Sequence, residues 1–135
     1  MIADIKQVIA DKLKELYTGC TIYVEDVPQD FETPSFMITL INQDYGKRLN
    51  TVYKSTLSFD VAYFSDKSNQ DIKEDCYTVQ MNLFRSFDLV GGYRIINKQA
   101  IIVDNVLHFT FDITVSEMLN ESYAKMQKQR TNTNI

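Results

Sequence analysis

Residues able to carry chemistry are few in this chain and stand apart from one another. Its one histidine, His108, lies between Leu107 and Phe109 in an alternating stretch. An imidazole there could serve as a general base only with a nucleophile or substrate in hydrogen-bond reach, and no sequence neighbour supplies one. A surface or interface histidine is expected. Cys20 and Cys76 are far apart and form no CxxC. With one histidine they fall short of the ligands of a structural zinc site. Cys76 lies on an apolar helical stripe and reads as buried packing; Cys20 follows Gly19 at a helix end and reads as partly exposed. Glu25, Asp26, Asp30 and Glu32 form the densest acidic group. Calcium loops need a glycine at their sharp turn, and this stretch has none, so a solvated acidic loop is expected. Gly91-Gly92 belongs to no GxGxxG or GxxxxGK phosphate loop. Eight Tyr and eight Phe could stack on bases, but many fall on inward strand positions and read as core. No catalytic residue, no metal site and no cofactor is therefore expected.

The 135 residues suit one domain. At this size roughly 70% of the unfolded surface can be buried, enough for one core without staples. Hydrophobic residues make up 44% and charged residues 24%, the mix of a soluble globular protein. No apolar run is long enough to span a membrane. The start, Met-Ile-Ala-Asp-Ile-Lys-Gln, does not read as a secretory signal, so the cytoplasm or a particle assembled there is expected. Fourteen basic against eighteen acidic residues leave a net charge of -4. Nucleic-acid binders need a basic patch, and the only dense one here is Lys125-Met-Gln-Lys-Gln-Arg130, so no sequence-specific nucleic-acid binding is expected.

The elements that hold these residues follow from periodicity. Ile2, Ile5, Val8, Ile9, Leu13 and Leu16 recur at helical spacing, with Gly19 as a stop. Residues 21–25 and 35–42 read as strands. Residues 43–51, with Asp44, Gly46 and Asn50, read as a loop carrying Lys47 and Arg48 at its tip. In 52–64, Leu57, Phe59, Val61 and Tyr63 alternate with Ser58, Asp60 and Ala62 as a half-buried strand does. Ser68 is placed to cap a second helix with Asp71 three residues on. Its stripe is Ile72, Cys76, Val79, Leu83 and Phe87, widened by Met81 and Phe84, and Gly91-Gly92 closes the helical region. A hairpin ends the fold: 93–103, a turn at Asp104-Asn105, and 106–117, with Leu107, Phe109, Phe111, Ile113 and Val115 on one face. The expected fold is α+β, a single domain with a mainly antiparallel sheet and two packed helices in the order α-β-β-β-α-β-β. Its expected bounds are 1–119, with 120–135 as a polar C-terminal tail.

Both prolines, Pro28 and Pro34, sit between the first two strands, where their fixed φ and missing N–H separate one ladder from the next. The initial helix is followed by Ile22-Tyr-Val-Glu-Asp26 and Phe31-Glu-Thr-Pro-Ser-Phe-Met-Ile38. Then come the strand Ser55-Thr-Leu-Ser-Phe-Asp-Val-Ala-Tyr-Phe64, a second helix and a last hairpin. This succession resembles the tail terminator proteins of long-tailed phages, over about 2–116. Neck and tail-completion proteins share a similar fold and are the nearest alternative; a small regulatory or ligand-binding α+β domain is another.

The resemblance implies a subunit of a ring, commonly a hexamer, on the head-proximal end of the tail tube. Such a ring stops tube growth and presents a joining surface. Its partners would be further copies of itself, the tail tube protein and a neck, connector or sheath protein. It would reside in a virion or tail-like particle assembled in the host bacterial cytoplasm, and it carries no catalytic residues over. Rings form through strand edges and loops. Asp44, Tyr45, Lys47 and Arg48 in the expected loop, and Lys125, Lys128 and Arg130 in the tail, are the candidate interface residues.

Overall fold

The computed structural model describes residues 2–47 and 52–118. Helix α1 (Ile2–Leu16) buries Ile5, Ile9, Ala10 and Leu13 along one stripe. Helix α2 (Asp71–Ser86) buries Cys76, Val79 and Leu83. Strands β1 (Thr21–Val24), β2 (Ser35–Lys47), β3 (Val52–Phe64), β4 (Leu89–Val90), β5 (Tyr93–Val103) and β6 (Val106–Met118) form one sheet in the order β1-β2-β3-β6-β5-β4. Every pairing is antiparallel except β1 with β2, which is parallel. The fold is α+β in the expected order, with the short β4 as an addition.

Both helices pack on one side of the sheet. The side chains pointing at them, Leu57, Phe59, Val61, Leu107, Phe109, Phe111 and Ile113, are all buried. These are the positions that alternation selects, because strand side chains point to opposite faces in turn. The other face is open and polar at its centre, with Ser58, Asp60, His108, Thr110 and Asp112 partly accessible. Among the described residues no helix is long and apolar enough to cross a membrane.

Several local expectations are corrected. Strand β2 does not stop at Asn42 but runs to Lys47, pairing Asp44 with Thr56 and Tyr45 with Ser55. A bulge between Leu40 and Asn42 admits Ile41 as an extra residue, which resets the facing of all that follows. Ladder hydrogen bonds to β3 thus override the loop propensity of Asp44 and Gly46. The Ser68 side chain does not cap α2; the N-cap is Gln70, and the Ser68 carbonyl accepts the Asp71 N–H at 3.1 Å instead. Met81 is exposed rather than part of the buried stripe. Gly91 and Gly92, with φ of 57° and 85°, do not end the helix. They form the turn between β4 and β5, and α2 has already ended at Phe87, whose N–H donates to Leu83 O.

Candidate functional site

The surfaces available for chemistry are the open sheet face, the acidic turn, a polar cluster under α2 and the extended β2–β3 arm. On the open face, His108 Nδ1 lies 2.9 Å from Asp60 Oδ2, with the Asp60 side chain only 15% exposed. Asp112 accepts from Ser58 Oγ at 2.6 Å and from Asn97 Nδ2 at 2.8 Å. These pairs cross strands β3, β6 and β5 and tie the sheet together. His108 is partly exposed, as expected. Its partner was beyond sequence reasoning: alternation puts residues 60 and 108 on polar faces, but only the register of β3 against β6 brings them together. The pair joins β3 to β6 directly, and among the described residues no hydrogen bond brings a hydroxyl or thiol to the other ring nitrogen, where a general base would need one.

The acidic turn is exposed, yet three of its carboxylates are engaged, Asp26 Oδ1 accepting the Val27 N–H at 2.8 Å. Glu25, at a left-handed φ of 70°, meets Lys6 Nζ of α1 at 2.6 Å and accepts the Leu40 N–H at 3.1 Å. Glu32 accepts from Thr21 Oγ1 at 3.1 Å, and its own N–H donates to Tyr23 Oη at 2.9 Å. Among the described residues, no three His, Cys, Asp or Glu converge to hold a metal ion. The Lys6 hydrogen bond, aided by the Leu40 N–H, holds the Glu25 carboxyl below its usual value. A depressed folded pKa stabilises above the unfolded value of about 4.3 and is lost as pH falls through the folded one. Glu25→Gln should therefore cost about 0.2–1 kcal/mol near neutrality, as exposed pairs do. It should flatten the acid limb of stability below about pH 4.3. Urea midpoints measured from pH 7 to pH 3 check this; parallel curves for the two proteins would show that the pair is energetically silent.

Under α2, Asp75 accepts from Tyr63 Oη at 2.7 Å and from Ser65 Oγ at 2.5 Å. Burial, then the Asp75 hydrogen bond, pushes the Tyr63 phenol far up, so it stays protonated. Burial also pushes both thiols up, Cys20 in the turn between α1 and β1 and Cys76 inside the core. Neither is a ready thiolate, and a raised thiol is a poor nucleophile. A surface groove of about 520 Å³ lined by Asn69, Lys73, Glu74, Tyr77 and Asn105 is open to solvent.

The candidate interface residues divide. Asp44, Tyr45 and Lys47 lie on β2 rather than in a loop, at the end of the long β2–β3 arm. There Tyr45 stacks on Tyr53 at 5.5 Å between ring centres and keeps 53% of its surface exposed. Arg48, Lys125, Lys128 and Arg130 lie outside the described residues, as does the expected 120–135 tail. Reasoning from the sequence missed the short edge strand β4. Its signal is Leu89-Val90 followed by two glycines, a hairpin too short for periodicity to register.

The geometry offers surfaces for assembly and no assembled catalytic set among the described residues. Residues 4–125 match the family model described as phage tail terminator protein. No curated protein matches the chain.

Proposed function

The chain belongs to the phage tail terminator family, a family of structural tail proteins, and from that premise we propose that it caps the head-proximal end of a tail tube as a ring, a hexamer. The ring stops tube polymerisation and presents the joining surface for a neck, connector or sheath protein. The family match over nearly the whole chain carries this reading. The chemistry described above is in keeping with a non-enzymatic role: a hydrogen-bonded histidine, two raised thiols and open surface grooves.

A tube grows because each added ring exposes a fresh surface for the next. A terminator copies the contact that meets the tube and withholds the one that would extend it. In this reading the β2–β3 arm with Asp44, Tyr45, Lys47 and Arg48 contacts a neighbour, and the 120–135 tail with Lys125, Lys128 and Arg130 orders against one. The net charge of -4 suits a lumen past which DNA slides, since a basic lumen would hold phosphates and brake transit. Deleting the gene should give tails of uncontrolled length, or tails that fail to join heads, in electron micrographs. Tails of normal length, fully joined, in the deletion would refute the assignment.

A further inference from the structure

Among the described residues the sheet has two edges without a strand partner, and their backbones match. At one edge lies β1, whose Thr21 N–H donates to Pro34 O and whose continuation, Glu25 N–H, donates to Ile38 O. Alternation along the strand then turns the backbone groups of Ile22 and Val24 away from β2. At the other end β4 pairs with β5 at Tyr93 and Arg94, and the Asp88 carbonyl takes the Ile95 N–H at 2.9 Å, leaving the stretch beyond it up to Val103 as the edge. The two-residue turn Asp104–Asn105, with φ of 52° and 64°, makes Val103 and Val106 a hydrogen-bonded pair. Counting back, Ile101 and Gln99 also bond to β6, so Ala100 and Ile102 turn their N–H and C=O outward. Each edge therefore offers two outward residues. The β1 set ends at the left-handed Glu25, and the β5 set lies between the bulge after Ile96 and the hairpin turn.

We propose that β1 of one copy of this chain pairs antiparallel with β5 of the next, with Ile22 opposite Ile102, Tyr23 opposite Ile101 and Val24 opposite Ala100. The inference rests on the ring reading above and names the contact that closes it. The faces select the direction. Ile22 and Val24 stand beside the buried Phe36 and Ile38, and Ala100 and Ile102 beside the buried Phe109 and Leu107, so all four lie on the helix side of their sheets. An antiparallel pair joins outward residues that share a face. A parallel pair bonds each residue to the two flanking its partner, which would require the outward residues of the two edges to lie on opposite faces.

Side chains agree with this register. The half-exposed Val24 gains Ala100, and Ile101, 60% exposed, gains Tyr23. A cap must show one side to the tube and another to the neck, so all copies stand the same way up. That requires a heterologous contact; a two-fold pairing of β5 with β5 would turn alternate copies over.

The test is disulfide trapping in the full-length chain carrying Cys20→Ser. Tyr23→Cys with Ile101→Cys places the two thiols at a directly opposed, non-hydrogen-bonded pair, where a disulfide fits. With diamide as oxidant, at high protein concentration and on tail tubes, the double variant should give a ladder of covalent oligomers ending at a closed ring. Each single variant should remain monomeric on non-reducing gels. Tyr23→Cys with Val103→Cys, two residues out of register, should cross-link at least tenfold less. Ala100→Pro removes one outward N–H at an edge position where proline is tolerated. It should melt as a folded protein and lose ring assembly. Dimers from Ile101→Cys alone, equal trapping by the shifted pair, or rings on tails that never cross-link would each overturn the proposed contact while leaving the ring itself. Tails that end normally without any ring of this protein would overturn the reading beneath it.

Discussion

Phe111→Ala should cost about 3–5 kcal/mol, the range for truncating a fully buried aromatic side chain. Phe111 is 1% exposed and sits where strand and helix layers meet. Its ring centre lies 5.9 Å from that of Phe59 and 5.6 Å from those of Phe87 and Phe109. Phe59 and Phe109 come from the sheet, and Phe87 from the end of α2. Removing the ring thus leaves a cavity bounded by both layers, and none of the three neighbours can move in without giving up its own contacts. Domains of this size are stable by only about 5–15 kcal/mol, so the variant should lose a large part of its margin. Phe111→Leu, which keeps much of the volume, should lose about 1.5 kcal/mol or less. Equilibrium urea unfolding of the three proteins at one concentration checks the order. A loss below about 1 kcal/mol for the alanine variant would mean that the core collapses into the gap, against the rigidity argued here.

That residue was legible in the sequence for a simple reason. Leu107, Phe109, Phe111 and Ile113 alternate with polar residues, and only one side of the sheet is covered, so period alone separates inside from outside. The same holds for Leu57, Phe59 and Val61, and for the stripes of both helices. Period fails where backbone pairing outweighs composition. Asp44, Gly46 and Lys47 have the composition of a loop, yet a partner strand is present to bond them and the bulge at Ile41 absorbs the change of facing. Ser68 has the spacing of a cap, but the chain turns left-handed at Asn69, and the Ser68 carbonyl takes the role that its hydroxyl was expected to fill.

Surfaces for assembly were legible as composition and not as geometry. Nothing in the order of residues says that β1 and the far part of β5 are the two ends of one sheet. That follows from the strand order, which brings β6 beside β3. The pairing of Asp60 with His108 is hidden for the same reason: the two are distant in sequence and meet only once register is set. The separation of His108, Cys20 and Cys76 along the chain is visible directly, but what each meets in the fold is not. In the folded chain His108 Nδ1 meets the Asp60 carboxylate across β3 and β6, and both thiols are raised by burial.

Gly91→Ala should be the most damaging single-methyl addition among the glycines, costing about 2–5 kcal/mol. Two effects add. Gly91 has φ of 57°, where an L-residue pays about 1–2 kcal/mol. A Cβ there would also lie 2.6 Å from Val8 Cβ and 2.8 and 2.9 Å from its two Cγ atoms. Val8 cannot swing clear, because a β-branched residue in a helix is held to one rotamer. Relief must therefore come from shifting α1 against the β4–β5 turn, and overpacking of that kind costs about 1–3 kcal/mol. The other glycines separate the two effects. Gly92 has φ of 85° but nothing within 4 Å of an added Cβ, so Gly92→Ala should show the backbone cost of about 1–2 kcal/mol alone. Gly46 has neither strain nor a neighbour, and Gly46→Ala should stay within about 0.5 kcal/mol of the parent. Urea unfolding of the three variants measures the series. Val8→Ala combined with Gly91→Ala should recover only part of the loss, since Val8 Cβ remains the nearest atom. Equal losses at Gly91 and Gly92 would show that α1 yields freely. In that case the helix does not fix the turn that leads β5 to the sheet edge, and the assembly contact inferred there would have to be set by β6 alone.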